Sequence, residues 1–233
     1  MIIDKSKYEL TVITPTTGKE SLLKLIDSIE KQTIADKIFH ILLWDEFRSE
    51  NALNPGGFNC SNRYSIVIPW GLGKNGNAPG SSLRAIGLIS AFTEYVTFAD
   101  DDVTWEYNHA ETMLKSIENL NWTSCFRKIY SPRNNEYLGI DKFESVGDYK
   151  SRKVSYEMLD NNCMMFRRRF GVYASHLYRE TTEYNDDRLM YSFLKQHAGP
   201  LGRTEQATIN HTCPDRLIQF FSENCEREIS YIY

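Results

Sequence analysis

A chain of 233 residues, 41% of them hydrophobic and 25% charged, is long enough to bury one sizeable core, and no linker, repeat or low-complexity stretch divides it. A formal net charge of −4 excludes a polyanion-binding surface spread over the whole molecule, so nucleic acid is not an expected partner. Five irregularly spaced cysteines (60, 125, 163, 213 and 225) point to a reduced compartment without a structural zinc site, and no apolar run is long enough to span a membrane.

The start, Met1-Ile2-Ile3-Asp4-Lys5, lacks the apolar stretch of a signal peptide, and a cytoplasmic protein is expected. Residues 9–14 predict a short strand that stops at Pro15. Thr17 and Glu20 have the spacing of a capping box, and Leu22, Ile26 and Ile29 recur at helical spacing behind them. Residues 38–44 form a nearly continuous apolar run, which suits a strand covered on both faces. Strand, helix and strand make a βαβ unit with parallel strands, and Asp45 and Glu46 follow at the carboxyl end of the second. A polar loop over 48–63 and a third strand over 65–69 come next. The Gly- and Asn-rich connection 71–80 matches neither the dinucleotide fingerprint nor the P-loop. A helix over about 81–93 is expected to bury Leu83, Ile86, Leu88, Ile89 and Phe92. Arg84 in its first turn opposes the helix dipole, which leaves open a nearby anion or a plain surface arginine.

The most informative stretch is Tyr95-Val96-Thr97-Phe98-Ala99, which runs straight into Asp100-Asp101-Asp102. Ligands collect beyond the carboxyl ends of strands in open α/β sheets. Adjacent carboxylates repel unless a cation or donor groups lie close by, and hard oxygen ligands suit Mg²⁺ or Mn²⁺. The alternative is a solvated turn in which Asp102 caps a helix over about 105–119.

The second half is less regular. Residues 122–130 and 161–167 read as strands, and 131–155 resist assignment. The triplet Arg167-Arg168-Arg169 reads as a solvated face rather than a phosphate contact. Helices are expected over 170–179 and 186–197. Asp186 and Asp187 sit in the first turn of the second, a normal place for Asp. A strand over 204–210 leads into His211, by itself an ordinary structural histidine. A last helix over 215–226, with Leu217, Ile218, Phe220 and Phe221, should pack on the body, and peripheral membrane contact stays open.

In order and spacing, several of these pieces resemble the inverting GT-A glycosyltransferases of family 2. Val12-Ile13-Thr14-Pro15-Thr16, with the helix end Ser28-Ile29-Glu30-Lys31-Gln32-Thr33, is similar to the family's opening strand and helix. Leu43-Trp44-Asp45-Glu46 is similar to its second strand. Arg84-Ala85-Ile86-Gly87 begins a helix like the family's R-N-x-G helix, which leads into the D-x-D position at Asp100-Asp101-Asp102. More thinly, Asp186-Asp187-Arg188-Leu189 falls where the family has E-D-x-x-L, and His211 near a metal-binding histidine of some members. Two departures stand out. Glu46-Phe47-Arg48 replaces the usual Asp-Gly-Ser, and the Gly-Gly-Phe segment before the base helix is missing.

The resemblance implies a single α/β domain of GT-A type, with a mostly parallel central sheet flanked by helices. Residues 1–105 would be its nucleotide-sugar half and 106–233 its acceptor half. It implies transfer of a sugar from a nucleotide-sugar, a UDP-sugar first among them, to a saccharide or lipid-linked glycan in polysaccharide assembly. Asp102 and His211 would hold Mn²⁺ or Mg²⁺. Thr14, Pro15, Thr16, Asp45, Arg84, Asp100 and Asp101 would bind the donor. Asp187, or failing it Asp186 or Glu183, would be the base. Two alternatives stay open. One is a non-catalytic nucleotide- or glycan-binding homologue. The other is a sugar-1-phosphate nucleotidyltransferase, which would want a more Gly-rich loop than Pro15-Thr16-Thr17-Gly18-Lys19.

Overall fold

The computed structural model describes residues 4–45, 52–68, 80–141, 143–150, 153–180 and 185–224. Glu46-Phe47-Arg48, the 71–79 connection, Glu183 and Cys225 lie outside the described residues. The elements in chain order are β1 (Leu10–Thr16), α1 (Ser21–Glu30), β2 (Ile38–Asp45), β3 (Arg63–Ile68), α2 (Ser81–Ser90), β4 (Tyr95–Phe98) and β5 (Val103–Trp105). Then come α3 (His109–Ile117), β6 (Trp122–Tyr130), β7 (Tyr137–Asp141), β8 (Gly147–Lys150), β9 (Ser155–Met158) and β10 (Met164–Arg167). The chain closes with α4 (Arg168–Glu180), α5 (Asp186–His197), β11 (Gly202–Thr212) and α6 (Asp215–Asn224).

Among the described residues the central sheet has nine strands in the order β3-β2-β1-β4-β10-β6-β11-β5, with β7 paired to β6. The pairings make β3, β2, β1, β4, β6 and β11 run one way, and β10, β5 and β7 the other. This is the expected α/β architecture, a mostly parallel central sheet flanked by helices in a single domain. Every residue of β1 and β2 is buried, which is why these strands are apolar without alternation. One main core draws residues from Tyr8 to Ile209, so both halves of the chain build it.

Several expectations are corrected. The first strand does not stop at Pro15 but pairs with β2 through Pro15 and Thr16. The ladder to β4 ends at Ile13, so the proline faces a single partner strand, where its missing N–H is tolerated. No capping box forms at α1. Glu20 precedes the helix without a side-chain capping bond, and Thr16 instead accepts the Gly18 N–H at 2.9 Å. On α2, Leu83 and Leu88 are buried as expected, but Ile89 is 57% exposed on the outer face.

The helix expected from about 105 begins only at His109, because Val103–Trp105 is taken up as β5 against β11. Asp102 therefore caps no helix. His211 lies within β11 rather than after it, opposite Val103 in the ladder. Arg167 pairs with Glu94, Arg168 donates to the Ala91 carbonyl at 2.6 Å and Arg169 to Asn121 at 2.7 Å. The basic triplet is thus engaged at the end of the sheet opposite the acidic turn, since Arg167 is in register with Tyr95 at the start of β4. Leu217, Ile218 and Phe220 of α6 pack against Ile129, Phe143 and Tyr149 in a second cluster, as expected for a helix seated on the body. Among the described residues no helix is long and apolar enough to cross a membrane.

Candidate functional site

The carboxyl ends of β1, β2 and β4 open into a cleft of about 200 Å³. Pro15, Thr16, Thr17 and Lys19 line it from β1 and the turn that follows. Asp45 closes β2, Gly80, Leu83 and Arg84 belong to the start of α2, and Asp100, Asp101 and Asp102 come from the turn after β4. Gly80 sits at φ +80°, and a Cβ there would meet Pro15 at 3.2 Å, so glycine lets α2 begin directly against the end of β1.

The three aspartates play different parts. Asp101 is nearly buried and already satisfied, by the Thr16 hydroxyl at 2.7 Å and Lys19 Nζ at 3.4 Å. It ties the acidic turn to the end of β1. Asp100 is ion-paired with Arg84, and the Asn162 amide donates to its Oδ2 at 3.0 Å while accepting its backbone N–H at 2.6 Å. Asp102 is exposed at the mouth of the cleft. The surrounding protein, and then the Asp100 and Asp101 carboxylates, push its carboxyl up to about 6.

Arg84 is buried, and its anion is now visible. It spans Asp100 and, at 3.4 Å, Asp186 Oδ2, which Ser81 also approaches at 3.2 Å. Burial opposes its charge, but Asp100, Asp186 and Asp187 together hold the guanidinium firmly protonated. This explains an arginine in the first turn of a helix, where the dipole alone disfavours it. Beside Asp186, the Asp187 carboxyl is held well above the usual carboxylate range, by burial and then by the charges of Asp186 and Asp160. The Asn161 amide donates to its Oδ1.

His211 lies opposite Val103, the residue after Asp102, in the ladder of β11 with β5. Its Nδ1 is buried with no hydrogen-bond partner, and burial followed by the Arg127 charge lowers its pKa to about 4. A neutral imidazole is the form that binds a metal. Among the described residues no group of three His, Cys, Asp or Glu side chains forms a ready metal cage. Asp102 lines the cleft and the His211 Nδ1 is buried without a hydrogen-bond partner, so each has the chemistry of a donor to a divalent cation.

Of the residues expected in the site, Pro15, Thr16, Asp45, Arg84 and Asp100 to Asp102 line the cleft, and Asp186 touches it through Arg84. Thr14 does not line it. Its hydroxyl is fully buried against His40 Nε2 at 2.8 Å and supports the strand end from behind. Residues that sequence reasoning misses are Lys19, Asp160, Asn161 and Asn162. Two adjacent amides leading into an apolar strand are the only local sign, and nothing in the sequence around them names their partners.

No protein-family model and no curated protein matches the sequence. Solved structures do resemble it. S. aureus TarS 1-349 in complex with UDP aligns with a TM-score of 0.66 at 15% identity, over 96% of this chain and 67% of that one. S. aureus TarS 1-349 in complex with UDP-GlcNAc aligns at 0.63 and 16%, over 89% and 59%. Against the longer S. aureus TarS structure the TM-score is 0.63, and the chain spans 40% of its length. The chain therefore shares its fold with these TarS structures.

Proposed function

We propose that the protein transfers a sugar from a nucleotide-sugar donor to a hydroxyl of a saccharide or lipid-linked glycan acceptor. The observation that carries this reading is the convergence of the acidic turn, Arg84 and the start of α5 at the carboxyl end of the parallel strands. UDP and UDP-GlcNAc in structures of this fold favour a UDP-sugar as donor. Residues 1–105 would supply most of the donor site and 106–233 the acceptor side. Such an enzyme would work in the cytoplasm, with lipid-linked acceptors reached at the inner membrane face.

Pro15, Thr16 and Asp45 frame the nucleoside, and Lys19 offers a partly exposed ammonium toward the diphosphate. Asp100, fixed by Arg84 and Asn162, is placed to hold the donor's hydroxyls. Mn²⁺ or Mg²⁺, held by Asp102 and His211 when bound, would neutralise charge on the leaving diphosphate. Asp187 takes the acceptor hydroxyl's proton as that oxygen bonds the anomeric carbon. The bond from that carbon to the diphosphate breaks, and its electron pair leaves with the nucleoside diphosphate. One displacement of this kind inverts the anomeric configuration. The raised proton affinity of the Asp187 carboxyl suits a general base.

A thermal-shift panel of nucleotides and nucleotide-sugars, with and without Mn²⁺, tests the reading. Stabilisation by UDP or UDP-GlcNAc that grows with Mn²⁺ is expected. Indifference to every nucleotide would overturn it. NMR of the product's anomeric proton tests inversion, and a retained configuration would remove the base role of Asp187.

A further inference from the structure

We infer that the short turn Asn161–Cys163 is the positioning element of the site, its two adjacent amides separately fixing the proposed base and the donor-binding aspartate. The inference rests on the functional reading above and adds to it residues 161, 162 and 178.

The turn is short and well anchored. Asp160 precedes it and accepts the Asn162 N–H at 2.8 Å, and the Cys163 N–H donates to the Asp160 carbonyl at 2.9 Å. Asp160 is held in turn by Arg127 at 2.5 Å. Arg127 is itself fully buried and also bonded to Asp141 and Glu144, so the base of the turn cannot shift without disturbing that ion cluster. Directly after the turn, β10 enters the sheet between β4 and β6.

The two amides point to different partners. Asn161 is 2% exposed. Its Nδ2 donates to Asp187 Oδ1, and its Oδ1 accepts the Tyr178 hydroxyl from α4 at 2.7 Å. The hydroxyl leaves the amide one orientation, with its N–H side toward the carboxylate. Asn162 faces the other way. It clamps Asp100 through both the carboxylate, at 3.0 Å, and the backbone N–H, at 2.6 Å. One rigid turn therefore sets the separation of the group that accepts a proton and the group that holds the donor. Misplacement of such groups by even an ångström is costly in rate.

The two amides should separate in experiment. A hydrogen bond from Asn161 favours the ionised form of Asp187, which must be unprotonated to act. The groups facing Asp187 are Asp186 on its own helix, Asp160 beside the turn, Asp100 after β4, and Arg84 on α2 with Tyr178 on α4. All remain in the variants below except the Tyr178 hydroxyl.

The experiment measures UDP release from UDP-GlcNAc with Mn²⁺ across pH, and UDP affinity by calorimetry, in the full chain. In Asn161→Ala the rising acid limb of the kcat profile is expected to move up by about one pH unit, a roughly tenfold loss below the limb. UDP affinity should be unchanged. Tyr178→Phe, which keeps the ring packed against Phe98, should move the limb the same way by less. Asn162→Ala should weaken UDP-GlcNAc, raising its KM about tenfold, and leave the limb in place. An Asn161→Ala or Tyr178→Phe enzyme with an unmoved limb, or loss of donor affinity in both amide variants alike, would overturn the inference while wild-type turnover kept the functional reading intact. A wild-type protein that neither binds UDP nor releases it from UDP-GlcNAc would overturn that reading and this inference with it.

Discussion

Asp187 is the residue on which the chemistry of the proposed reaction turns, and its environment makes a quantitative expectation. Asp187→Asn should lower turnover roughly 10²–10⁴-fold while UDP affinity, which the proposed function assigns to other residues, stays as it was. Unchanged turnover would move the base elsewhere. A second residue-scale expectation concerns stability. His40 is buried against Thr14, and burial, helped by the nearby Arg63 charge, lowers its pKa from 6.5 to about 3. The unfolded chain binds this proton below about 6.5 and the folded chain does not. His40 therefore contributes stability that is complete above that pH and is lost on acidification toward 3, at about 1.4 kcal/mol per pH unit. Denaturation of His40→Gln across that range should show a slope flatter by one proton, and an unaltered slope would contradict the buried neutral imidazole. Asp102, Arg84 and Asp187 are legible in the sequence because each falls in a short run of recognisable spacing. Asn161 and Asn162 are not, because their partners lie 26 and 62 residues away and only the fold brings them together.

Elements are legible in proportion to their length and period. β1, α1 and β2 carry unbroken apolar runs or a clear helical stripe, and the βαβ unit forms as expected, apart from the ends of its pieces. β5 escapes a sequence reading because three residues are too few to show a period, and its strand identity comes from β11 across the ladder. The antiparallel β10 is recognisable as a strand, but its direction is not, since a strand buried on both faces looks the same either way up. β7 to β9 alternate weakly and rest on the second cluster rather than the main core, so residues 131–155 offer little pattern to read. The seating of α2 on the sheet is testable. A Cβ on Gly87 would lie 2.4 Å from Ile13 Cγ2 and 2.8 Å from Leu43 Cδ1. Gly87→Ala should cost about 1–3 kcal/mol in chemical denaturation, despite alanine's better helix propensity. A stabilised variant would mean that α2 does not press on β1 and β2 as described.

At the scale of the molecule, one end of one sheet gathers residues from distant parts of the chain. The acidic turn leaves β4, Arg84 leads off α2, α5 begins beside them, and His211 arrives on β11. Each of these, taken singly, has an ordinary structural explanation. Together they make a cleft lined by Asp100, Asp101 and the exposed Asp102, with Arg84 linking it to Asp186 at the start of α5. The most direct test of the account is a calorimetric titration of UDP into wild-type protein and into Asp102→Ala, each with and without Mn²⁺. The account predicts that Mn²⁺ tightens UDP binding to the wild type and makes no difference to the variant. Equal tightening in both, or none in the wild type, would contradict it.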